Sequence, residues 1–180
     1  MGNALKSGGE ARNALQIFHI NINVSDLEQT RAFYESIGFE VINDFSSLSA
    51  VGRVLTFAEI GLAEMLALPP GCEARAMLLA LSDGPRVTRL DVIEWLKPKS
   101  AAKPRGDLAQ IGFGRLCLKV RDCQPIYERL VADGRKVYTA PMLIDMGGTR
   151  QLCFCAEDPD GVVVEFMQFL RDGPAAPAVS

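Results

Sequence analysis

Residues 19–41 read HININVSDLEQTRAFYESIGFEV, and residues 115–137 read RLCLKVRDCQPIYERLVADGRKV. The two stretches align without a gap at a constant offset of 96, with Val24 on Val120, Asp26 on Asp122, Gly38 on Gly134 and Val41 on Val137. Self-similarity of this kind marks an internally repeated architecture. Each copy opens with the two-residue alternation of a strand. An Asp follows where its carboxylate can accept an early helical N–H, and a Gly closes the helix in a left-handed conformation. The predicted helices bury Leu27, Phe33, Tyr34 and Ile37 in the first copy, and Ile126, Leu130 and Val131 in the second.

Working outward, each copy ends in a more apolar strand: RLDVIEWLKP at 89–98, and DPDGVVVEFMQFL at 158–170. Asp160-Gly161 is a tight-turn signal ahead of the latter. The segment 57–68 reads as a short helix before a strand near 74–82. These elements predict an α+β chain of two βαβββ modules joined into a curved mixed sheet with a concave cavity. The predicted boundaries are a tail at 1–15, modules at 16–98 and 111–170, a polar, proline-punctuated linker at 99–110, and a second tail at 171–180.

Composition narrows the function. The chain of 180 residues is 48% hydrophobic and 23% charged, with a net charge of −3. It has the apolar content of a folded domain and lacks the basic surplus of a general nucleic-acid binder. No apolar run approaches the roughly 20 residues of a membrane span, so neither nucleic acid nor membrane is expected as a partner. Residues 1–16 have no apolar signal region, and Lys6 stands where N-myristoylation wants Ser or Thr. Five cysteines, an odd number, read as reduced thiols in a cytoplasmic protein. Cys153 and Cys155 alternate on one predicted strand, where small buried residues are the plainer reading and a metal the other.

Strand alternation also sorts polar groups by face. Phe18, Ile20, Ile22 and Val24 face the first helix, and Ile17, His19, Asn21 and Asn23 lie opposite. In the second module Arg115, Cys117, Lys119 and Arg121 hold the corresponding row. Glu94 stands between Val92 and Leu96, and Glu165 between Val163 and Met167. A carboxylate among apolar neighbours needs a cation, a donor or water. We therefore pair Glu94 with Glu165 as equivalent positions, as His19 pairs with Arg115, and expect all four around one hollow. Taken singly, each of the four is an ordinary surface or hydrogen-bonded residue.

With HININVSDLEQTRAFYESIGFEV, LDVIEWLKP and the D-P-D-G-x-x-x-E spacing of DPDGVVVEFMQ, residues 16–170 resemble the vicinal oxygen chelate superfamily. That superfamily includes glyoxalase I, methylmalonyl-CoA epimerase, extradiol dioxygenases and bleomycin and fosfomycin resistance proteins. The resemblance implies four metal-ligand positions, which fall on His19, Glu94, Arg115 and Glu165. Arg115 departs from the pattern, because a guanidinium has no lone pair to give. His19, Glu94 and Glu165 would remain to hold Zn²⁺, Ni²⁺, Mn²⁺ or Mg²⁺. The rival is a metal-free site in which Arg115 takes the ion's place.

An extradiol iron centre needs two histidines, and His19 is the only one. The resemblance thus favours a glyoxalase- or epimerase-like lyase or isomerase on a small carbonyl or thioester substrate. Glu165, Glu94 and Arg115 would be catalytic, and Asn21, Asn23 and Arg115 would bind substrate. The alternative is a metal-free, antibiotic-resistance-type binding protein. A homodimer is expected, since open sheets commonly cover their edges by pairing.

Overall fold

The computed structural model describes residues 16–45, 56–57, 59–69, 71–82, 84, 86–100, 102, 108–109 and 111–170. The predicted tails and most of the predicted linker lie outside the described residues. The first module runs β1 (His19–Val24), α1 (Leu27–Ser36), β2 (Glu40–Asp44), α2 (Leu62–Met65), β3 (Glu73–Ala80) and β4 (Arg89–Lys97). The second runs β5 (Leu116–Lys119), α3 (Gln124–Ala132), β6 (Met142–Asp145), β7 (Arg150–Glu157) and β8 (Val163–Phe169). The helix predicted over 57–68 shortens to the four residues of α2.

The two-module α+β architecture stands as the repeat implies. Its strands form two four-stranded mixed sheets, ordered β1-β4-β3-β2 and β5-β8-β7-β6, instead of one continuous sheet. In each module the first strand is an edge that runs parallel to the last. Local chemistry fixes the helix ends. Asp26 Oδ1 accepts the Glu28 and Gln29 N–H groups at 3.0 Å, and Asp122 Oδ1 accepts that of Gln124 at 3.0 Å. Gly38 and Gly134 close the helices at φ +107° and +67°, a region that favours glycine.

One apolar core joins the modules. Ile22, Val24, Leu27, Phe33, Tyr34, Leu90 and Val92 from the first share it with Leu118, Cys123, Leu130, Phe154, Val164 and Phe166 from the second. Each sheet therefore turns its helix-bearing face to the same interior. Polar ties reinforce the join. The Ser25 N–H donates to Asp160 Oδ2 at 2.8 Å, and the buried Tyr34 hydroxyl to Asp158 Oδ2 at 3.3 Å. Arg129 donates to the Ser36 carbonyl, and the Arg135 guanidinium lies over the Phe33 ring. Phe33 and Arg129 are repeat equivalents, so each helix offers the same position to the other module.

Candidate functional site: two half-sites on the outer sheet faces

The face of the first sheet turned away from the core carries His19, Asn21 and Asn23 on β1, beside Asp91, Ile93 and Trp95 on β4. His19 Nε2 stands 3.9 Å from Asp91 Oδ2. Asn21 Nδ2 donates to the Asp91 carbonyl at 3.2 Å and its carboxylate at 3.3 Å, and Trp95 Nε1 donates to Asn23 Oδ1 at 2.8 Å. Burial pushes the Asp91 carboxyl above its ordinary value, with His19 and Asn21 pulling the other way. A small apolar cluster covers the rest of this face. Phe57, Ala63 and Cys72 pack there on Ala76 and Ile93, and Phe57 meets Trp95 edge to face at 5.4 Å.

The expected pairing of Glu94 with Glu165 gives way to a different one. Asn21 lies opposite Asp91 in the β1–β4 register, and its repeat equivalent Cys117 lies opposite Glu165 in β5–β8. Asp91, not Glu94, is the counterpart of Glu165. Glu94 shares the parity of Leu90 and Val92 and points to the core side, where its side chain is only 8% exposed. There Oε2 accepts the Leu27 N–H at the start of α1 at 3.2 Å and binds Arg75 Nη2 at 2.5 Å. The partial positive charge of a helix N-terminus and a guanidinium together neutralise it.

The repeat confirms that role. Gln168, the equivalent of Glu94, accepts the N–H of Cys123, the equivalent of Leu27, at 2.9 Å. Gln168 carries no charge, and Leu152 pairs opposite it where Arg75 pairs with Glu94. Parity was the available signal in the sequence. Asp91 alternates against the core residues of β4, as Glu165 does against Val164 and Phe166.

On the outer face of the second sheet, Arg115 Nε donates to Glu165 Oε2 at 2.6 Å, with the carboxylate 13% exposed and the guanidinium about half exposed. That bond raises the Arg115 pKa further, so the group stays cationic. Cys117 and Cys155 flank Glu165 in register on either side, and Cys153 lies opposite Met167. Burial, with the Glu165 charge adding, pushes the Cys117 thiol up to about 11. Cys153 and Cys155 are raised in the same way.

His19 and Arg115 thus occupy equivalent places, each beside a carboxylate, yet both pairs lie on faces turned away from the core the modules share. Among the described residues no three His, Cys, Asp or Glu groups are arranged to hold a metal ion. The expectation of four groups around one hollow is not met within a single chain. The ligand set His19, Glu94 and Glu165 does not fit a Zn²⁺, Ni²⁺, Mn²⁺ or Mg²⁺ centre. Glu94 is on the wrong face, and Glu165 is committed to a guanidinium that repels a divalent ion by several kcal/mol at an effective dielectric of about 20.

The fold agrees with known structures. A glyoxalase family protein from Bacillus cereus is similar over 89% of this chain and 97% of its own, with a TM-score of 0.72 and 15% identity. Glyoxalase I from Zea mays is similar over 88% of this chain and 46% of its own, at a TM-score of 0.59 and 19% identity. The trypanothione-dependent glyoxalase I of Leishmania major covers 86% of this chain and 87% of its own, at 0.53 and 15%. No curated protein matches the chain in sequence. Residues 16–166 match the family described as the Glyoxalase/Bleomycin resistance protein/Dioxygenase superfamily. With that match over most of its length, and with the duplicated βαβββ fold, the chain belongs to this superfamily.

Proposed function

We propose that the chain is a glyoxalase- or epimerase-like lyase or isomerase acting on a small carbonyl or thioester substrate. Its site is completed by a second copy, so that His19, Asn21, Asn23 and Asp91 of one chain face Arg115 and Glu165 of the other. One observation carries the reading. Asp91 and Glu165 are repeat equivalents on outward faces, each partnered by the residue at the other equivalent position, and the shared core separates them in one chain.

The Arg115 guanidinium holds the substrate oxygen and stabilises the negative charge that grows there as the adjacent carbon loses its proton. Glu165 fixes the fork of Arg115. Asp91, whose proton affinity burial raises, is the better base of the two carboxylates because no guanidinium sits on it. Returning that proton to the neighbouring carbon gives isomerisation, and returning it to the opposite face of the same carbon gives epimerisation. Asn21 and His19 hold the Asp91 carboxylate in place, and Asn23, fixed by Trp95, is aimed at the substrate side.

The test is solvent exchange. In deuterium oxide, NMR should show the protein exchanging the proton next to the carbonyl in at least one of a panel of hemithioacetals, thioesters and small ketones. Asp91→Asn should slow this by about 10²–10⁴-fold and Arg115→Gln by about 10²–10³-fold. A second reading is favoured by Phe57 and Trp95 on the same face. An aromatic wall suits a protein that sequesters a small molecule without chemistry. Saturable ligand binding with no exchange across the panel would select that reading and reject the enzyme.

A further inference from the structure

The outer face of the second sheet gathers sulfur as well as charge. Cys153 and Cys155 alternate on β7 and are both half-buried, hence reachable. Met167 pairs directly with Cys153 across the β7–β8 ladder, and residues opposed in such a ladder share a face. Two same-face residues on one strand have Cα atoms about 6.7 Å apart. Two thiolates bound to one ion on opposite sides stand about 4.6 Å apart, twice a metal–sulfur bond of about 2.3 Å. Each Cys need only lean about 1 Å toward the other, within the range of a side-chain rotamer change.

From this arrangement we infer a site for a soft monovalent cation, Cu(I), in which Cys153 and Cys155 are the two thiolate ligands and the Met167 thioether is a weaker third. Donor count and donor type both select the ion. Zinc wants four donors in a tetrahedron, whereas Cu(I) is satisfied by two sulfurs, and thiolate with thioether is the set it prefers. Two thiolates and one Cu(I) carry a net charge of −1. Arg115 is taken up by its bond to Glu165, and burial with the Glu165 charge raises both thiols, so the ion must displace their protons to form the site. The site is independent of the isomerase reading, which uses the oxygen and nitrogen groups of the same face.

The test is anaerobic competition for Cu(I) between the reduced full-length protein and bathocuproine disulfonate, whose coloured complex bleaches as copper is taken. The expected result is one copper per chain. Cys153→Ser or Cys155→Ser should weaken binding by about 100-fold or more, because either removes one of the two thiolate bonds. Met167→Leu should weaken it by about tenfold or less. Cys72→Ser should leave it unchanged, since that thiol lies in the apolar cluster of the other module. Should Cys155→Ala, checked for native circular dichroism, hold copper as tightly as the parent, the inference is overturned. It is equally overturned if the parent takes no copper from the chelator.

Discussion

A single charge difference explains two positions of the repeat. Glu94 and Gln168 do the same work, each accepting the first free N–H of its module's helix, but only the carboxylate has to be neutralised. Arg75→Leu should therefore cost about 1–3 kcal/mol in urea unfolding, at the low end because the guanidinium is partly in water. The double variant Arg75→Leu with Glu94→Gln copies the Leu152–Gln168 pair of the second module and should lie within about 1 kcal/mol of the parent. Glu94→Gln alone should keep proton exchange; a large loss of exchange in a stable variant would return Glu94 to the site. Asp91 allows a pH test. Its folded pKa is raised above the ordinary 3.8 by burial, so between those two values the folded chain binds more protons than the unfolded one. The stability from the protonated form is complete below about pH 3.8 and fades as pH rises through the raised value. Asp91→Asn, which cannot ionise, should gain stability relative to the parent over that rise. A difference between the two that stays flat with pH would mean that His19 and Asn21 offset the burial in full.

At the level of elements, the repeat itself was legible. The helices, their aspartate caps and their closing glycines follow from local chemistry that needs no partner, and each lies where the pattern puts it. The positions of His19, Asn21, Asn23, Arg115 and Glu165 on outward strand faces follow equally from alternation. Two things were not legible. Which acid of β4 faces outward turned on parity against Leu90 and Val92, and the apolar flanks of Glu94 masked the exposed-side role of Asp91. How the modules meet depends on long-range packing, which a local pattern does not encode. The turn at 158–161 shows this. Asp158 Oδ1 accepts the N–H groups of Asp160, Gly161 and Val162 at 2.9 Å, shaping the turn that leads into β8. Its other oxygen takes the Tyr34 hydroxyl from α1 of the first module. A turn motif thus serves as a clamp between halves. Tyr34→Phe should lower stability by about 1 kcal/mol, the usual worth of one buried hydrogen bond, without altering either helix. An unchanged urea midpoint would mean that the shared apolar core sets the junction unaided.

At the scale of the whole molecule, the proposed second copy has open strand edges to meet among the described residues. Both β1 and β5 are sheet edges, and next to His19 the residues Ile17 and Phe18 are 65% and 54% exposed; Phe18 precedes β1 and does not cover the helix as alternation predicts. Large apolar groups in water beside an open strand edge favour pairing with another chain. If the two half-sites meet only between copies, defects in different halves must complement. A chain carrying His19→Ala with Asp91→Asn and a chain carrying Arg115→Gln should each be nearly inactive as homodimers. Mixed in equal amounts and allowed to exchange subunits, half the dimers become heterodimers. Each heterodimer holds one site with all the defects and one with none. About a quarter of all sites then become intact, so proton exchange should recover to about a quarter of the parental rate. Recovery should appear only as fast as subunits exchange, and sedimentation should find dimers at micromolar concentration. Mixtures that stay as inactive as their components, although heterodimers have formed, would show that the halves do not serve one another. The outward pairs would then be separate sites, each confined to its own module.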